Sequence, residues 1–241
     1  MEGGVRVWWS KGPRPGNLGD VLTPVILAGL GVEAEWAPLS NADMIATGSV
    51  ARFARKGQAV WGSGLISARD TLEPGARWLA VRGPLTAEAV RRAGGHVDAL
   101  GDPALLLPTF HNGPVEQVHE LGVVPHYIDE ATRRSAAGLG LRVIEPLSPD
   151  PLSVVDQIRA CRAIVSSSLH GIIVAHAYGI PAAWLACGRL TGDGVKFRDY
   201  AASVGVDLHE YLNMRTAFPI LPSPIDCTPL TGALLGAGCA P

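Results

Sequence analysis

Lysine is nearly missing from this chain: of 20 basic residues only Lys11, Lys56 and Lys196 are lysines, and the rest are arginines. Charge of either sign is sparse too, at 17% of 241 residues against 47% hydrophobic, and 22 acidic side chains leave a formal net charge of −2. Such a balance gives no electrostatic footprint for nucleic acid and predicts a sizeable core. It leaves open a homo-oligomer or a peripheral association with a larger assembly. Cysteine is limited to Cys161, Cys187, Cys227 and Cys239, with no C-x-x-C pair. That spacing argues against a structural zinc site or disulfide framework and for buried thiols in a reducing, cytoplasmic compartment. Long apolar runs are lacking. The most apolar window, 171–188, is interrupted by His176, Gly179 and Pro181, so it reads as helix, break and strand and not as a membrane span. No amino-terminal signal is expected, because a strand-like stretch at 5–9 is followed at once by Lys11 and Arg14. The loop at 10–20 has neither the G-x-G-x-x-G spacing of a dinucleotide fingerprint nor the G-x-x-x-x-G-K-S/T spacing of a P-loop.

What is present is alternation. Stretches 5–9, 32–37, 43–47, 59–61, 78–81 and 96–100 read as one series of strands, and 122–125, 141–144, 163–165 and 181–185 as a second. Helices are predicted between them: one beginning near Asp20 with that residue as its cap, one at 84–92 with Pro84 in its first turn, then 131–139, 151–161, one from about His170 and one from Lys196. Strands alternating with helices imply an α/β fold of two Rossmann-like halves, 1–115 and 116–215. Pro219, Pro222, Pro224 and Pro229 mark 216–241 as a proline-rich strap or tail, and 231–239 is too glycine-rich to be predicted helical.

The stretch 161–181, CRAIVSSSLHGIIVAHAYGIP, organises the second half. It predicts a buried strand, a polar turn of Ser166, Ser167 and Ser168 at the strand's carboxyl end, and a helix near whose start His170 stands. In open α/β sheets ligands settle outside the carboxyl ends of strands, and helix amino termini favour anions. The alternative is a buried helix opened by a serine cap, with His170 hydrogen-bonded and inert. Other strand ends carry candidates of the same kind: Asn17, Gly19 and Asp20; Ser63 between two glycines; Arg82 before Pro84; His126; and Lys196 with Arg198 beside the same mouth. Each also has a purely structural explanation, a cap for Asp20, turn chemistry for the glycines and a solvated surface for the arginines. No metal is expected, since His170 and His176 do not share a helix face and no acidic pair near them has ligand spacing. Ser63 lacks the flanking pattern of a nucleophile elbow.

In order along the chain stand Asn17–Leu18–Gly19–Asp20, Ala42–Asp43 leading to Gly48–Ser49, Trp61–Gly62–Ser63–Gly64, and Val81–Arg82–Gly83–Pro84–Leu85–Thr86. Gly101–Asp102–Pro103–Ala104 follows, then Ser166–Ser167–Ser168–Leu169–His170–Gly171 with Gly179–Ile180–Pro181. This series resembles the polysaccharide pyruvyl transferase family, in its shorter bacterial exopolysaccharide-type members, over nearly the whole chain up to about Tyr200. The resemblance implies a fold similar to the two-domain B-type glycosyltransferases with the active site between the halves. It implies transfer of a pyruvyl group from phosphoenolpyruvate to sugar hydroxyls of an exopolysaccharide or its lipid-linked precursor, forming a ketal and releasing phosphate. No cofactor beyond that donor is implied, and the place of action is the cytoplasm, at the inner face of the membrane where the acceptor is lipid-linked. By resemblance His170 and Asp20 are catalytic and Arg82 is a donor ligand. Asn17, Gly19, Ser63, His126, Ser166, Ser167, Ser168, Lys196 and Arg198 complete the substrate-binding set. Many members carry arginine where this chain has Ser168, which leaves Arg198, Lys196 or Arg82 to neutralise the donor. A sugar-nucleotide glycosyltransferase and a noncatalytic carbohydrate-binding or assembly protein are the alternatives. Binding of a nucleotide sugar in preference to phosphoenolpyruvate distinguishes the first, and carbohydrate binding without phosphate release the second.

Overall fold

The computed structural model describes residues 4–188 and 192–237; the readings above that touch 1–3, 189–191 and Cys239 lie outside the described residues. Strands β1 (Val5–Trp8), β2 (Ala34–Trp36), β3 (Met44–Ile45), β4 (Ala59–Ser63), β5 (Arg77–Val81) and β6 (Val97–Leu100) form a six-stranded sheet ordered β2-β1-β3-β4-β5-β6. A second, five-stranded sheet contains β7 (Gly122–Val124), β8 (Arg142–Val143), β9 (Ile164–Ser166), β10 (Ala182–Leu185) and β11 (Glu210–Tyr211), ordered β11-β10-β9-β7-β8. Pairing within both is parallel. The central strands β4 and β9 are buried at every residue, as parallel strands flanked by helices require. The chain is thus α/β, with two Rossmann-like parallel sheets and helices α1 (Leu18–Gly29), α2 (Pro84–Arg92), α3 (Glu130–Gly138), α4 (Pro151–Arg159), α5 (Leu169–Ala177), α6 (Val195–Ser203) and α7 (Thr228–Gly236). No helix among the described residues is long and apolar enough to cross a membrane.

Two expectations need correction. The first helix begins at Leu18, ahead of Asp20; Asn17 takes the cap position, and Asp20 stands in the first turn. The glycine-rich end does form a helix. Asp226 accepts from the Thr228 N–H at 2.9 Å, and Leu230 and Leu234, both buried, present one apolar stripe. That stripe packs on β4, β5 and β6 of the first sheet, and the Trp61 indole donates to the Leu230 carbonyl at 2.9 Å. Tertiary burial here outweighs the low helix propensity of glycine.

The halves are joined tightly. One hydrophobic cluster runs from Val7 and Leu22 through Ile172 and Phe197 to Leu234. Leu18 N–H donates to the Pro146 carbonyl at 2.8 Å, and Ser148 N–H to the Gly16 carbonyl at 3.1 Å. α5, buried along Leu169–His176, packs against the 3-10 segment Pro103–Thr109 of the first half. α2 receives its amino-terminal cap from the second half: Asp199 of α6 accepts from Thr86 N–H at 3.0 Å and from the Thr86 hydroxyl at 2.6 Å. A Cβ at Gly83 would run into Asp199, so glycine at that position is what lets the two helices approach.

Candidate active site

The carboxyl ends of β1, β3, β7 and β9 open onto a cleft of about 440 Å³ between the halves. Asn17, Asp20 and Ser49 line it from one side, His126, Ser168, His170 and Lys196 from the other. This is the position at which open α/β sheets hold ligands.

His170 occupies the first turn of α5, and its imidazole lies over Gly19, where any Cβ would meet the ring. Its Nε2 is 3.4 Å from Asp102 Oδ2, and neither atom has a hydrogen bond. Asp102 is fully buried; its other oxygen accepts from the Ala104 N–H at 3.0 Å and so starts the 3-10 segment that packs on α5. The pair spans the two halves. The buried carboxylate oxygen faces the imidazole across the joint and favours one orientation of the ring.

Asp20 accepts from the Asn17 amide at 3.2 Å. Burial raises its pKa above the usual carboxylate range, opposed by the Asn17 bond and by the charges of His170 and Lys196. The next loop runs close to this carboxylate: at Gly48, whose φ is +100°, a Cβ would lie 3.0 Å from Asp20 Oδ1. Lys196, on α6, is only 7% exposed, and among the described residues its ammonium makes no ion pair. Burial, with the nearby Arg82 charge, pushes its pKa down to about 8. Burial and the Lys196 charge push His126 down to about 4, so that imidazole is neutral at physiological pH.

The three serines divide their work. The Ser166 hydroxyl lies 2.7 Å from the carbonyl oxygens of both Val124 and Ser168, which share its one proton, and it accepts from Ser168 N–H at 3.0 Å, which fixes the turn. Ser167 donates to Asp129 at 2.6 Å and accepts from His126 N–H at 2.9 Å. Ser168 caps no backbone N–H although it stands at the amino terminus of α5, and it lines the cleft.

Of the residues singled out from the sequence, the structure brings Asn17, Asp20, His126, Ser168, His170 and Lys196 onto the cleft wall. Arg82, Ser63, Ser166, Ser167, Gly19 and Arg198 are not on that wall. Arg82 is completely buried: it donates to Ser49 Oγ at 2.9 Å and to the Leu65 carbonyl at 2.8 Å, and lies 3.2 Å from Asp199. It reaches the cleft only through Ser49. Ser63 donates to the Gly48 carbonyl at 2.9 Å and accepts from Val50 N–H at 3.2 Å, holding the loop that carries Ser49. Arg198 turns to the Asp193 carbonyl at 2.8 Å. Asp102 caps the 3-10 segment with one oxygen, and its second oxygen faces His170. The Gly-Asp-Pro-Ala run carried no signal of that partner, which comes from the other half.

Two crossed halves around a polar cleft define an α/β enzyme-like site, and residues 7–189 match the family model for polysaccharide pyruvyl transferase. The chain belongs to that family, a family of transferases. It is 33% identical over 175 residues, 68% of this chain and 61% of the relative, to the Uncharacterized protein L143 of Acanthamoeba polyphaga mimivirus. It is also 32% identical over 141 residues, 53% of this chain and 40% of the relative, to the Succinoglycan biosynthesis protein ExoV of Rhizobium meliloti (strain 1021). The chain therefore spans less than two thirds of the length of either.

Proposed function

We propose that this chain transfers a pyruvyl group from phosphoenolpyruvate to two hydroxyls of a saccharide, forming a ketal and releasing phosphate, in a cleft of the B-type glycosyltransferase kind. The acceptor is an exopolysaccharide unit or its lipid-linked precursor, met at the cytoplasmic face of the membrane. The observation that supports this most is the convergence of His170, Asp20 and Lys196, from three helices, on one cleft at strand ends.

The roles follow from the chemistry. Protonation of the donor's methylene carbon makes the adjacent carbon electrophilic; His170, held by Asp102, delivers that proton. One sugar hydroxyl attacks this carbon and gives its proton to Asp20, whose buried position favours accepting it. The carbon–oxygen bond to phosphate then breaks, the second hydroxyl closes the ketal, and its proton leaves with the phosphate. Lys196, Ser168 and the amino-terminal N–H groups of α5 hold the donor's anionic groups. Arg82 acts one step back, by setting Ser49.

The test is phosphoenolpyruvate-dependent phosphate release against a panel of lipid-linked saccharides, with NMR of the product for a ketal carbon. His170→Gln is expected to slow release by about 10²–10⁴-fold. Near-normal turnover in that variant removes His170 from the mechanism, and a product without a ketal carbon sinks the reaction itself.

A further inference from the structure

Part of the cleft wall takes no share in this chemistry. Trp8, the last residue of β1, and Phe53, in the 3-10 turn Ala51–Phe53, both line the cleft, and their rings meet edge to face at 5.8 Å and 77°. Pairing of Trp8 with Ile45 sets the end of β1 beside the end of β3. The chain leaving β3 passes Asp20 at Gly48, lines the cleft with Ser49 and Val50, and arrives at Phe53. The aromatic pair is therefore continuous with the wall that carries the Asp20 carboxylate.

Phe53 is 38% exposed although it packs with Trp8. A large apolar ring left open to water, in a cleft that also holds the Asp20 carboxylate and the Lys196 ammonium, points to a ligand that covers it. Arg52 adds a second feature. Its guanidinium carbon lies over the Phe53 ring, 4.8 Å from the centroid, with one nitrogen 3.8 Å from Asp70, and the side chain is 42% exposed, so a fork of hydrogen-bond donors stands beside the aromatic pair. Exposed aromatic surface beside donors matches one chemistry well. A pyranose presents C–H groups on one face, which rest against the electron-rich face of an aromatic ring, and hydroxyl oxygens at its rim, which accept from a guanidinium.

We infer that Trp8 and Phe53, with Arg52 beside them, form the acceptor subsite, seating a pyranoside ring so that its hydroxyls reach Asp20. The inference rests on the pyruvyl-transfer reading for the direction in which the sugar faces, and its test separates the two. Methyl pyranosides of glucose, galactose, mannose and their 2-acetamido counterparts are titrated by saturation-transfer NMR without donor, and phosphoenolpyruvate by calorimetry. Trp8→Leu and Phe53→Leu are expected to weaken pyranoside binding roughly tenfold while leaving phosphoenolpyruvate affinity unchanged, and Trp8→Phe is expected to restore most of the loss. In wild-type protein, saturation of aromatic protons is expected to reach the C–H face of the sugar more strongly than its other protons, a readout that needs no variant to fold.

Leucine variants that stay folded and bind pyranosides as wild type does overturn the subsite and leave pyruvyl transfer standing. Uniform saturation transfer, or a wild type that binds none of the panel, overturns it as well. Ring-dependent sugar binding with no phosphate release from phosphoenolpyruvate supports the subsite and sinks the pyruvyl-transfer reading.

Discussion

A cation held in a protein interior without an ion pair works against folding unless something anionic joins it, and among the described residues Lys196 is in that position, with the Asp20 carboxylate offsetting only part of the burial. Burial first, then the Arg82 charge, lowers its pKa from 10.5 to about 8. Below about 8 the ammonium is charged in both folded and unfolded chains; from about 8 up to 10.5 the unfolded chain binds a proton that the folded chain does not. Stability should therefore rise with pH through that window, by at most about 3 kcal/mol. Lys196→Met should abolish the rise, melt higher than wild type at pH 7, and bind inorganic phosphate more weakly; urea titrations from pH 7 to 10 with phosphate calorimetry measure all three. A variant that keeps the pH-dependent rise shows that another group produces it. Asp102 makes a different case, because it touches no cleft space and acts through His170. Asp102→Asn should lower kcat by about 10²-fold with little change in donor KM, and should add little to the loss in His170→Gln, since the pair works as a unit. Full additivity in the double variant would separate the two residues. His170, Asp20 and Lys196 were legible in the sequence because each follows a strand end or opens a helix. Asp102 was not, because its partner lies 68 positions away and only folding brings the two together.

At the scale of elements, the joint between α2 and α6 brings buried polar groups of the two halves together. Asp199 caps α2 from the second half and lies 3.2 Å from Arg82, whose pKa burial lowers and the Asp199 charge raises again. Removing one partner of such a pair leaves an uncompensated charge inside the protein. Asp199→Ala is therefore expected to cost about 3–5 kcal/mol, read as a fall in the denaturation midpoint. Ser49 should shift as well, because Arg82 holds it. A loss under 1 kcal/mol, on the order of a surface pair, would mean that Arg82 finds another acceptor. All strands but the short β11, which no apolar run marks, and most helices were legible from apolar runs and helix-start residues, and those fall within a few residues of their expected ends. The two helix exceptions share a cause. α1 starts early because Leu18 N–H donates to Pro146 across the joint, and α7 forms because Leu230 and Leu234 are buried on the opposite sheet. Neither contact has a local signature.

For the whole molecule, the question is whether two sheets make two folding units. Their sequence pattern is that of two halves, but a single apolar cluster includes Leu22 and Trp61 of the first and Ile172 and Phe197 of the second, and α7 returns to cover the first sheet after the second is complete. Units that share a core, a helix cap and a crossing helix cannot open independently without exposing much of that surface. Calorimetry should then show one transition, with equal calorimetric and van't Hoff enthalpies. Leu230→Ala tests the closure directly: the side chain is 1% exposed, and its truncation should cost about 2–5 kcal/mol. If the halves are one unit, the variant's single transition moves to lower temperature intact. If α7 merely clips two independent halves together, its loosening should split the melt in two, with the first sheet unfolding ahead of the second.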